Sequence, residues 1–167
     1  MAEYQRGFYG GKFLPFHKGH KYCIERGAAE CEEFVVIFFM HSEDEAAALE
    51  KEIVCDRALL DEKERIRRIE EECRRYPNVR FVTLDCSVMH EKALRDGTDT
   101  WDAETEYVMK AVGDFQAVYS SEPGYDAYFK RAYPFARHIL VDVPRVHVPI
   151  SGTKIRGMDT ETAEIWM

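Results

Sequence analysis

The sequence feature that most constrains the fold is an uninterrupted apolar run, FVVIFFM, at residues 34–40. A strand with one face in water alternates apolar and polar residues, whereas a strand buried on both faces of a parallel sheet is apolar throughout. The run is far shorter than the roughly 20 residues that a membrane-spanning helix requires. It therefore predicts a strand that is covered by helices on both of its faces.

Other apolar segments alternate along the chain with segments of helical periodicity. Further strands are predicted at residues 6–14, 79–84, 115–119 and 138–141, and helices at residues 17–32, 56–75, 104–112 and 125–131. This alternation predicts an α/β fold with a Rossmann-like, doubly wound parallel sheet and right-handed crossovers. Ligands of such sheets bind beyond the carboxyl ends of the strands, where the strand order reverses.

Length and charge limit the classes of partner. The 167 residues fit a single domain, residues 1–167, because no Ser/Gly- or Pro-rich linker divides them. The 23 basic and 31 acidic residues give a net charge of −8. This charge argues against a surface that binds nucleic acid or anionic membranes broadly, although a local cationic site remains compatible with it.

The N-terminus and the cysteines indicate the compartment. The first residues, MAEYQRGFYGG, lack the basic start and apolar stretch of a secretory signal. The five cysteines include no CxxC pair, and we interpret them as free thiols in a reducing environment. The sequence therefore predicts a cytoplasmic protein.

The strongest motif is GGKFLPFHKGH, residues 10–20, where the first predicted strand gives way to a helix. Glycines let the backbone approach a ligand closely, and the N–H groups at a helix N-terminus carry partial positive charge. His17 and His20 fall on one side of the helix start. Histidine changes between neutral and cationic forms near pH 7 and can donate hydrogen bonds to phosphate oxygens. With no third ligand at a zinc-like spacing, the motif favours a phosphate site, to which Lys12 adds a cation.

A second motif, ISGTKIR, occupies residues 150–156. Ser151 and Thr153 are candidate caps for a helix that begins near Gly152, and their hydroxyls could also meet a phosphate. Arg156, one turn later, provides a permanent cation whose planar fork suits phosphate oxygens. Alone, the segment is equally typical of an ordinary capped turn with a solvated Lys154 and Arg156. Its occurrence together with the first motif favours phosphate binding.

HKGH and ISGTKIR resemble the HxGH and ISxTxxR motifs of the nucleotidyltransferase superfamily, in the same order and about 130 residues apart. GKFLPFHKGH, VYSSEPGYD (residues 118–126) and VDVPRVHVPISGTKIR (residues 141–156) are most similar to the adenylyltransferase domain of NadR-type nicotinamide-nucleotide adenylyltransferases. The similarity is weakest over residues 40–56. The GxxxxGK[ST] loop of the attached ribosylnicotinamide kinase is missing, as is a separate helix-turn-helix segment, so neither kinase activity nor DNA-binding repression is expected.

The resemblance implies a Rossmann-like nucleotidyltransferase domain that transfers AMP from ATP to nicotinamide mononucleotide (NMN), giving NAD and pyrophosphate. It implies in-line attack without a covalent intermediate, and a magnesium ion held mainly by the ATP phosphates, with no protein ligand. The catalytic residues would be Lys12, His17, His20 and Arg156. The residues that bind the nucleotide would be Gly10, Gly11, Phe13, Ser120, Ser121, Glu122, Ile150, Ser151 and Thr153.

Trp101 is the candidate for recognition of the acceptor. It lies in a polar, loop-like stretch, DGTDTWDAETEY, where stacking on a flat nicotinamide ring would explain a large aromatic side chain. Packing over a neighbouring helix or a subunit contact would explain it as well. For Lys12 the alternative is a solvated strand end, and for residues 120–122 it is an ordinary turn around Pro123. Arg65, Arg67 and Arg68 are predicted to form a solvated helix face.

Two other functions remain open. The first motif contacts the triphosphate that all these enzymes share, so the acceptor could be phosphopantetheine, a flavin mononucleotide or a phosphorylated alcohol. The chain could also sense NAD or ATP without turnover, although two intact motifs argue against that. The sequence does not distinguish NMN from nicotinic acid mononucleotide, and it leaves open whether the chain forms a homo-oligomer or belongs to a longer protein.

Overall fold

Five parallel strands form the centre of the fold in the computed structural model, which describes residues 2–167. They are β1 (Tyr4–Gly11), β2 (Cys31–Met40), β3 (Val79–Asp85), β4 (Ala117–Ser120) and β5 (Arg137–Leu140). They lie in the order β3-β2-β1-β4-β5, and every neighbouring pair is parallel. The predicted doubly wound sheet is therefore confirmed, and its strand order reverses between β1 and β4.

Strand β2 shows why the apolar run was informative. Phe34, Val36 and Phe38 are fully buried in the core on one face of the sheet. Val35 and Ile37 are fully buried in the core on the other face. Successive side chains of a strand point to opposite faces, so only a strand covered on both sides buries all five.

Eight α-helices accompany the strands in residues 2–167. They are α1 (Lys18–Glu30), α2 (Glu43–Glu50), α3 (Glu62–Cys73), α4 (Cys86–Asp96), α5 (Thr100–Val112), α6 (Asp126–Ala132), α7 (Gly152–Arg156) and α8 (Thr160–Ile165). Helices α1 and α3 contribute to the core on one face of the sheet, and α5 contributes to the core on the other. Within the described residues, none of the helices is long and apolar enough to cross a membrane.

The predicted helix at residues 56–75 is divided in the structure. Asp61 has an extended backbone (φ −60°, ψ 138°), which separates a short 3₁₀ turn, Arg57–Leu60, from α3. Leu59 and Leu60 pack with Ile150 and Ile155 around α7, whereas Ile69 enters the core beneath the sheet. The apolar stripe of the predicted helix therefore serves two different cores. The five cysteines are free thiols, four of them buried.

Candidate active site

The HKGH segment forms the N-terminus of α1, and its backbone fixes both histidines. Nδ1 of His17 accepts a hydrogen bond from the Gly19 N–H (3.0 Å), and Nδ1 of His20 accepts one from the His17 N–H (3.1 Å). The two rings stack with their centroids 3.6 Å apart. Because each Nδ1 is an acceptor, the ring hydrogen of each neutral imidazole lies on Nε2. The segment thus presents two Nε2–H donors in a fixed arrangement.

Both imidazoles are neutral at pH 7. Burial lowers the pKa of His17 to about 3, with a further contribution from the positive charge of Arg145. Burial, followed by His17 and Arg145, also holds the pKa of His20 well below its usual value. The expectation that this pair changes charge near pH 7 is therefore wrong for the protein without ligand, since ionisation would place a charge in a desolvated site. Neutral imidazoles can still donate hydrogen bonds to phosphate oxygens.

The second motif begins helix α7, as predicted. Ser151 caps α7 by accepting a hydrogen bond from the Lys154 N–H (3.2 Å). Arg156 donates to the Leu14 carbonyl through Nη1 (2.6 Å) and to the exposed Thr153 hydroxyl through Nη2 (3.2 Å). A Cβ at Gly152 would lie 2.7 Å from that same carbonyl oxygen, so only glycine allows this approach. The structure therefore joins two motifs that are distant in sequence.

Arg145, which lies outside both motifs, is a further cation near His17 and His20. Its Nη1 donates to the Ile150 carbonyl (2.7 Å), and its Nη2 lies 3.5 Å from the Glu122 carboxylate. The loop that carries it is fixed by Asp142, whose carboxylate accepts hydrogen bonds from three successive N–H groups of residues 146–148. The available signal was the Asp and Arg that precede ISGTKIR. We refer to His17, His20, Arg145 and Arg156 as the motif corner.

The serines that follow β4 are engaged within the protein. The Ser120 hydroxyl hydrogen-bonds with Nε2 of His138 (2.6 Å) and accepts from the Glu122 N–H (3.2 Å). The Ser121 hydroxyl donates to the Val141 carbonyl (2.7 Å). Ser120 and Ser121 therefore shape the turn beyond β4, and contact of residues 120–122 with a nucleotide stays a prediction.

Phe13 and Ile150 lie at the motif corner, but their side chains are buried, each with 1% exposure. The edge of Phe13 packs against His20, with the ring centroids 4.8 Å apart. The predicted nucleotide contacts of these two residues are therefore restricted to their backbones, and the Phe13 ring supports the imidazole instead.

A cleft of about 630 Å³ opens beside the motif corner, at the carboxyl ends of the strands. Gly10, Gly11 and Lys12 line it where β1 ends, and Ser120 lines it beyond β4. Its aromatic lining residues are Phe8, Phe39, Trp101, Tyr125, Phe129 and Tyr133. Its acidic lining residues are Glu43, Asp44, Glu91, Asp99 and Glu104, against Lys12, His41 and His90. We call it the aromatic cleft, and its walls are acidic.

Trp101 lines this cleft, but its predicted location in a loop is wrong. It lies in the first turn of α5, where the Asp99 carboxylate caps the helix by accepting from the Trp101 N–H (2.7 Å). The ring contacts Tyr128 edge-on (centroids 4.7 Å apart), and the residue as a whole remains 37% exposed. Trp101 therefore packs against α6, as the alternative proposed, and also presents part of its ring to the cleft.

Lys12 lines the aromatic cleft and lies two residues before Leu14, whose carbonyl binds Arg156 of the motif corner. Its backbone carbonyl accepts a hydrogen bond from Nη1 of Arg65 (2.9 Å). The predicted solvation of Arg65 is wrong, because its side chain is 2% exposed and forms an ion pair with the buried Glu45. Arg67, in contrast, is exposed as predicted and pairs with Glu64. The buried pair anchors α3 to the end of β1.

Comparisons with known proteins agree with this arrangement. Residues 8–158 match the model of the cytidylyltransferase-like family. None of the curated protein sequences compared with the chain matches it significantly.

Three solved structures share the fold. A bifunctional NMN adenylyltransferase/ADP ribose pyrophosphatase from Francisella tularensis has a TM-score of 0.60 at 18% identity, over 92% of this chain and 41% of that one. A NadR protein in complex with NAD and AMP-PNP has a TM-score of 0.57 at 20% identity, over 93% and 42%. A NadR protein in complex with NR has a TM-score of 0.56 at 19% identity, over 90% and 39%. The chain thus spans about two fifths of these structures, and at such identities the likeness concerns the fold. Since the family model covers most of the sequence and both of its motifs, the chain belongs to the cytidylyltransferase-like family of the nucleotidyltransferase superfamily.

Proposed function

We propose that this chain is a nicotinamide-nucleotide adenylyltransferase, which transfers AMP from ATP to NMN and releases NAD and pyrophosphate. The observation that carries the proposal is the lining of the aromatic cleft, which combines aromatic rings with an excess of carboxylates. The pyridinium ring of NMN is flat and positively charged, so it can stack on Trp101 and is attracted by the acidic walls.

The other acceptor classes fit this lining less well. Phosphopantetheine has no ring to stack, and the flavin ring of flavin mononucleotide is uncharged. A phosphorylated alcohol with a quaternary ammonium group shares the positive charge but offers no flat ring. The cleft therefore favours NMN among the candidates, and the charged alcohol is the most instructive competitor.

In the proposed reaction the motif corner holds the ATP phosphates. An oxygen of the NMN phosphate forms a bond to the α-phosphorus while the bond to the bridging oxygen of pyrophosphate breaks, and its electron pair leaves with pyrophosphate. The attacking phosphate is already an anion, so the reaction needs no side chain as nucleophile or base. The Nε2–H groups of His17 and His20 donate to oxygens of the α-phosphate, where charge develops.

Arg156 and Arg145 supply the positive charge for the departing phosphates. One N–H group of Arg156 already fixes the guanidinium to the Leu14 carbonyl, which leaves others for phosphate oxygens. In this proposal Lys12, a cation that lines the cleft, binds the NMN phosphate. ATP is proposed to enter as its magnesium complex, with the ion coordinated by phosphate oxygens and water.

The test is a panel of donors and acceptors. Purified protein with magnesium and either ATP or CTP is offered NMN, nicotinic acid mononucleotide, phosphopantetheine, flavin mononucleotide and phosphocholine, and the products are separated and weighed by mass spectrometry. We expect NAD and pyrophosphate in equal amounts from ATP and NMN. Product from another acceptor and none from NMN would contradict the proposal. Tight nucleotide binding without any product would identify a nucleotide sensor instead.

A further inference from the structure

Glu104 lies one helical turn after Trp101 on α5. Residues three apart on a helix share a face, and both side chains line the aromatic cleft. A pyridine ring that stacks on Trp101 therefore has its edge near the Glu104 carboxyl group. We propose that Glu104 selects the carboxamide of NMN and rejects the carboxylate of nicotinic acid mononucleotide, an inference that rests on the proposed function.

The carboxyl group of Glu104 has no partner within residues 2–167, because neither a hydrogen bond nor an ion pair engages it there. Among the other acids of the cleft, Asp99 caps α5 and Glu43 lies 3.6 Å from His90. Asp44 and Glu91 also have no side-chain partner in residues 2–167, but both are exposed, whereas Glu104 is half-buried. Burial alone raises the pKa of Glu104 to about 7. No fully buried side-chain polar atom in residues 2–167 lacks a partner, so the half-buried Glu104 carboxyl group keeps contact with the solvent of the cleft, where a ligand can complete its hydrogen bonds.

The carboxamide of NMN and the carboxylate of nicotinic acid mononucleotide interact differently with the Glu104 carboxyl group. The carboxamide of NMN has N–H donors for a carboxylate oxygen, and the adjacent pyridinium charge strengthens the contact. The carboxylate of nicotinic acid mononucleotide would place a second negative charge beside Glu104 in a partly desolvated cleft. Selectivity would therefore come from both an attraction to one substrate and a repulsion of the other.

This selectivity depends on pH. Above pH 7 Glu104 is ionised and repels the nicotinate group, whereas below pH 7 it is protonated and can donate a hydrogen bond to that group. The nearest titratable groups are the Cys86 thiol and the phenols of Tyr125, Tyr128 and Tyr133, whose pKa values are all raised by burial, so they stay neutral in this range. The charged or titratable groups across the cleft are Lys12, His41, Glu43, Asp44, His90, Glu91 and Asp99.

The decisive variant is Glu104→Gln, which keeps the size of the side chain and removes its charge. Its matched control is Glu106→Gln on the same helix, because the Glu106 side chain is largely exposed, pairs with Lys92 and does not line the cleft. Both variants change the net charge equally. The measured quantity is kcat/KM for NMN divided by kcat/KM for nicotinic acid mononucleotide, from pH 5.5 to 8.5. Titration of His41 and of the substrate phosphate affects both substrates and largely cancels in this ratio.

We expect the wild-type ratio to fall by about tenfold or more as the pH drops from 8.5 to 5.5, since like charges in contact are strongly unfavourable. Glu104→Gln should give a low ratio that does not change with pH, and Glu106→Gln should behave as wild type. A Glu104→Gln ratio equal to that of wild type at pH 8.5 overturns the inference.

Calorimetric binding of the two mononucleotides without ATP separates the two proposals. If no NAD forms, yet NMN binds more tightly than nicotinic acid mononucleotide and Glu104→Gln removes the difference, the role of Glu104 stands and the proposed function fails. If NAD forms with a ratio insensitive to Glu104→Gln, the function stands and the role of Glu104 fails. Absence of binding by both mononucleotides together with absence of NAD overturns both.

Discussion

The motif corner and the aromatic cleft are built in different ways. In the corner, backbone groups fix the side chains: two N–H groups orient the histidines, and two carbonyls hold Arg156 and Arg145. In the cleft, residues from the ends of β1, β2 and β4 meet side chains from several helices, and Glu104 is held by no hydrogen bond in residues 2–167. The motif corner, which the backbone fixes, suits the phosphates that every nucleotidyl donor carries. The aromatic cleft is built from side chains, so its lining can vary with the acceptor.

The largest effect is expected from a variant at His20, which should impair the motif corner and leave the aromatic cleft unchanged. Asn at this position places its Oδ1 where Nδ1 accepts from the His17 N–H, but it removes the Nε2–H donor. We expect His20→Asn to lower kcat by about 10²–10³-fold, in the range for loss of one donor to developing charge. Binding of NMN, measured by calorimetry, should change less than about twofold.

The control for this variant is His20→Gln, whose amide N–H can take the place of the Nε2–H and should retain more activity than Asn. Thermal unfolding of both variants reports whether the start of α1 remains folded. His20→Asn with nearly wild-type kcat would show that the corner does not contact the reacting phosphates. A joint loss of turnover and NMN binding would show that the two regions act as one.

The two regions should also respond to pH with opposite signs. The folded pKa of His17 is lowered to about 3, so the unfolded chain binds the proton first and His17 reduces stability as the pH falls below about 6.5. The folded pKa of Glu104 is raised to about 7, so Glu104 adds stability at low pH and loses that contribution as the pH rises through 7. Between pH 8 and pH 5.5 each effect amounts to roughly 1–2 kcal/mol.

Urea unfolding of two variants from pH 5.5 to 8 measures these slopes. His17→Asn keeps an acceptor for the Gly19 N–H, and we expect it to lose less stability than wild type on acidification, by about 1.4 kcal/mol. Glu104→Gln should be more stable than wild type across this range, and its advantage should be larger at pH 8 than at pH 5.5 by about 1–2 kcal/mol. If the free energy of unfolding changed with pH in the same way in wild type and in both variants, the pKa shifts of His17 and Glu104 would be refuted.

The same contrast explains how much of the site the sequence could predict. Three of the four corner residues belong to two short motifs, whose capping positions, His17 and Ser151, are local properties of the chain. The fourth, Arg145, lies outside both motifs and reaches the corner through a loop that Asp142 fixes. The prediction for Trp101 was wrong because Asp99 and Thr100 are residue types typical of loops, whereas here Asp99 caps a helix that begins at Thr100. Arg65 was misplaced because its partner, Glu45, lies on a helix that the periodicity did not predict. The sequence around Glu104 does not indicate its role, because that role depends on residues from other helices and strands. These residues form the cleft around Glu104 and provide no partner for its carboxyl group.

The smallest expected effect concerns Trp101, and it tests whether the cleft rather than the corner receives the acceptor. Trp101→Ala removes the stacking surface, so KM for NMN should rise about tenfold, corresponding to about 1.4 kcal/mol, with KM for ATP within about twofold of wild type. Trp101→Phe keeps an aromatic face and should show a smaller effect. The chain has one other tryptophan, Trp166, which packs in the apolar cluster around α7 and α8.

In a Trp166→Phe background the fluorescence therefore reports Trp101 alone. Addition of NMN should quench it, because a cationic ring stacked on indole is an electron acceptor, and ATP should leave it nearly unchanged. Quenching by ATP instead, with a rise in KM for ATP in Trp101→Ala, would place the adenine of ATP against this ring. The acidic walls would then face the donor, the argument from the pyridinium charge would be lost, and Glu104 would have to be reassigned to the adenine amino group.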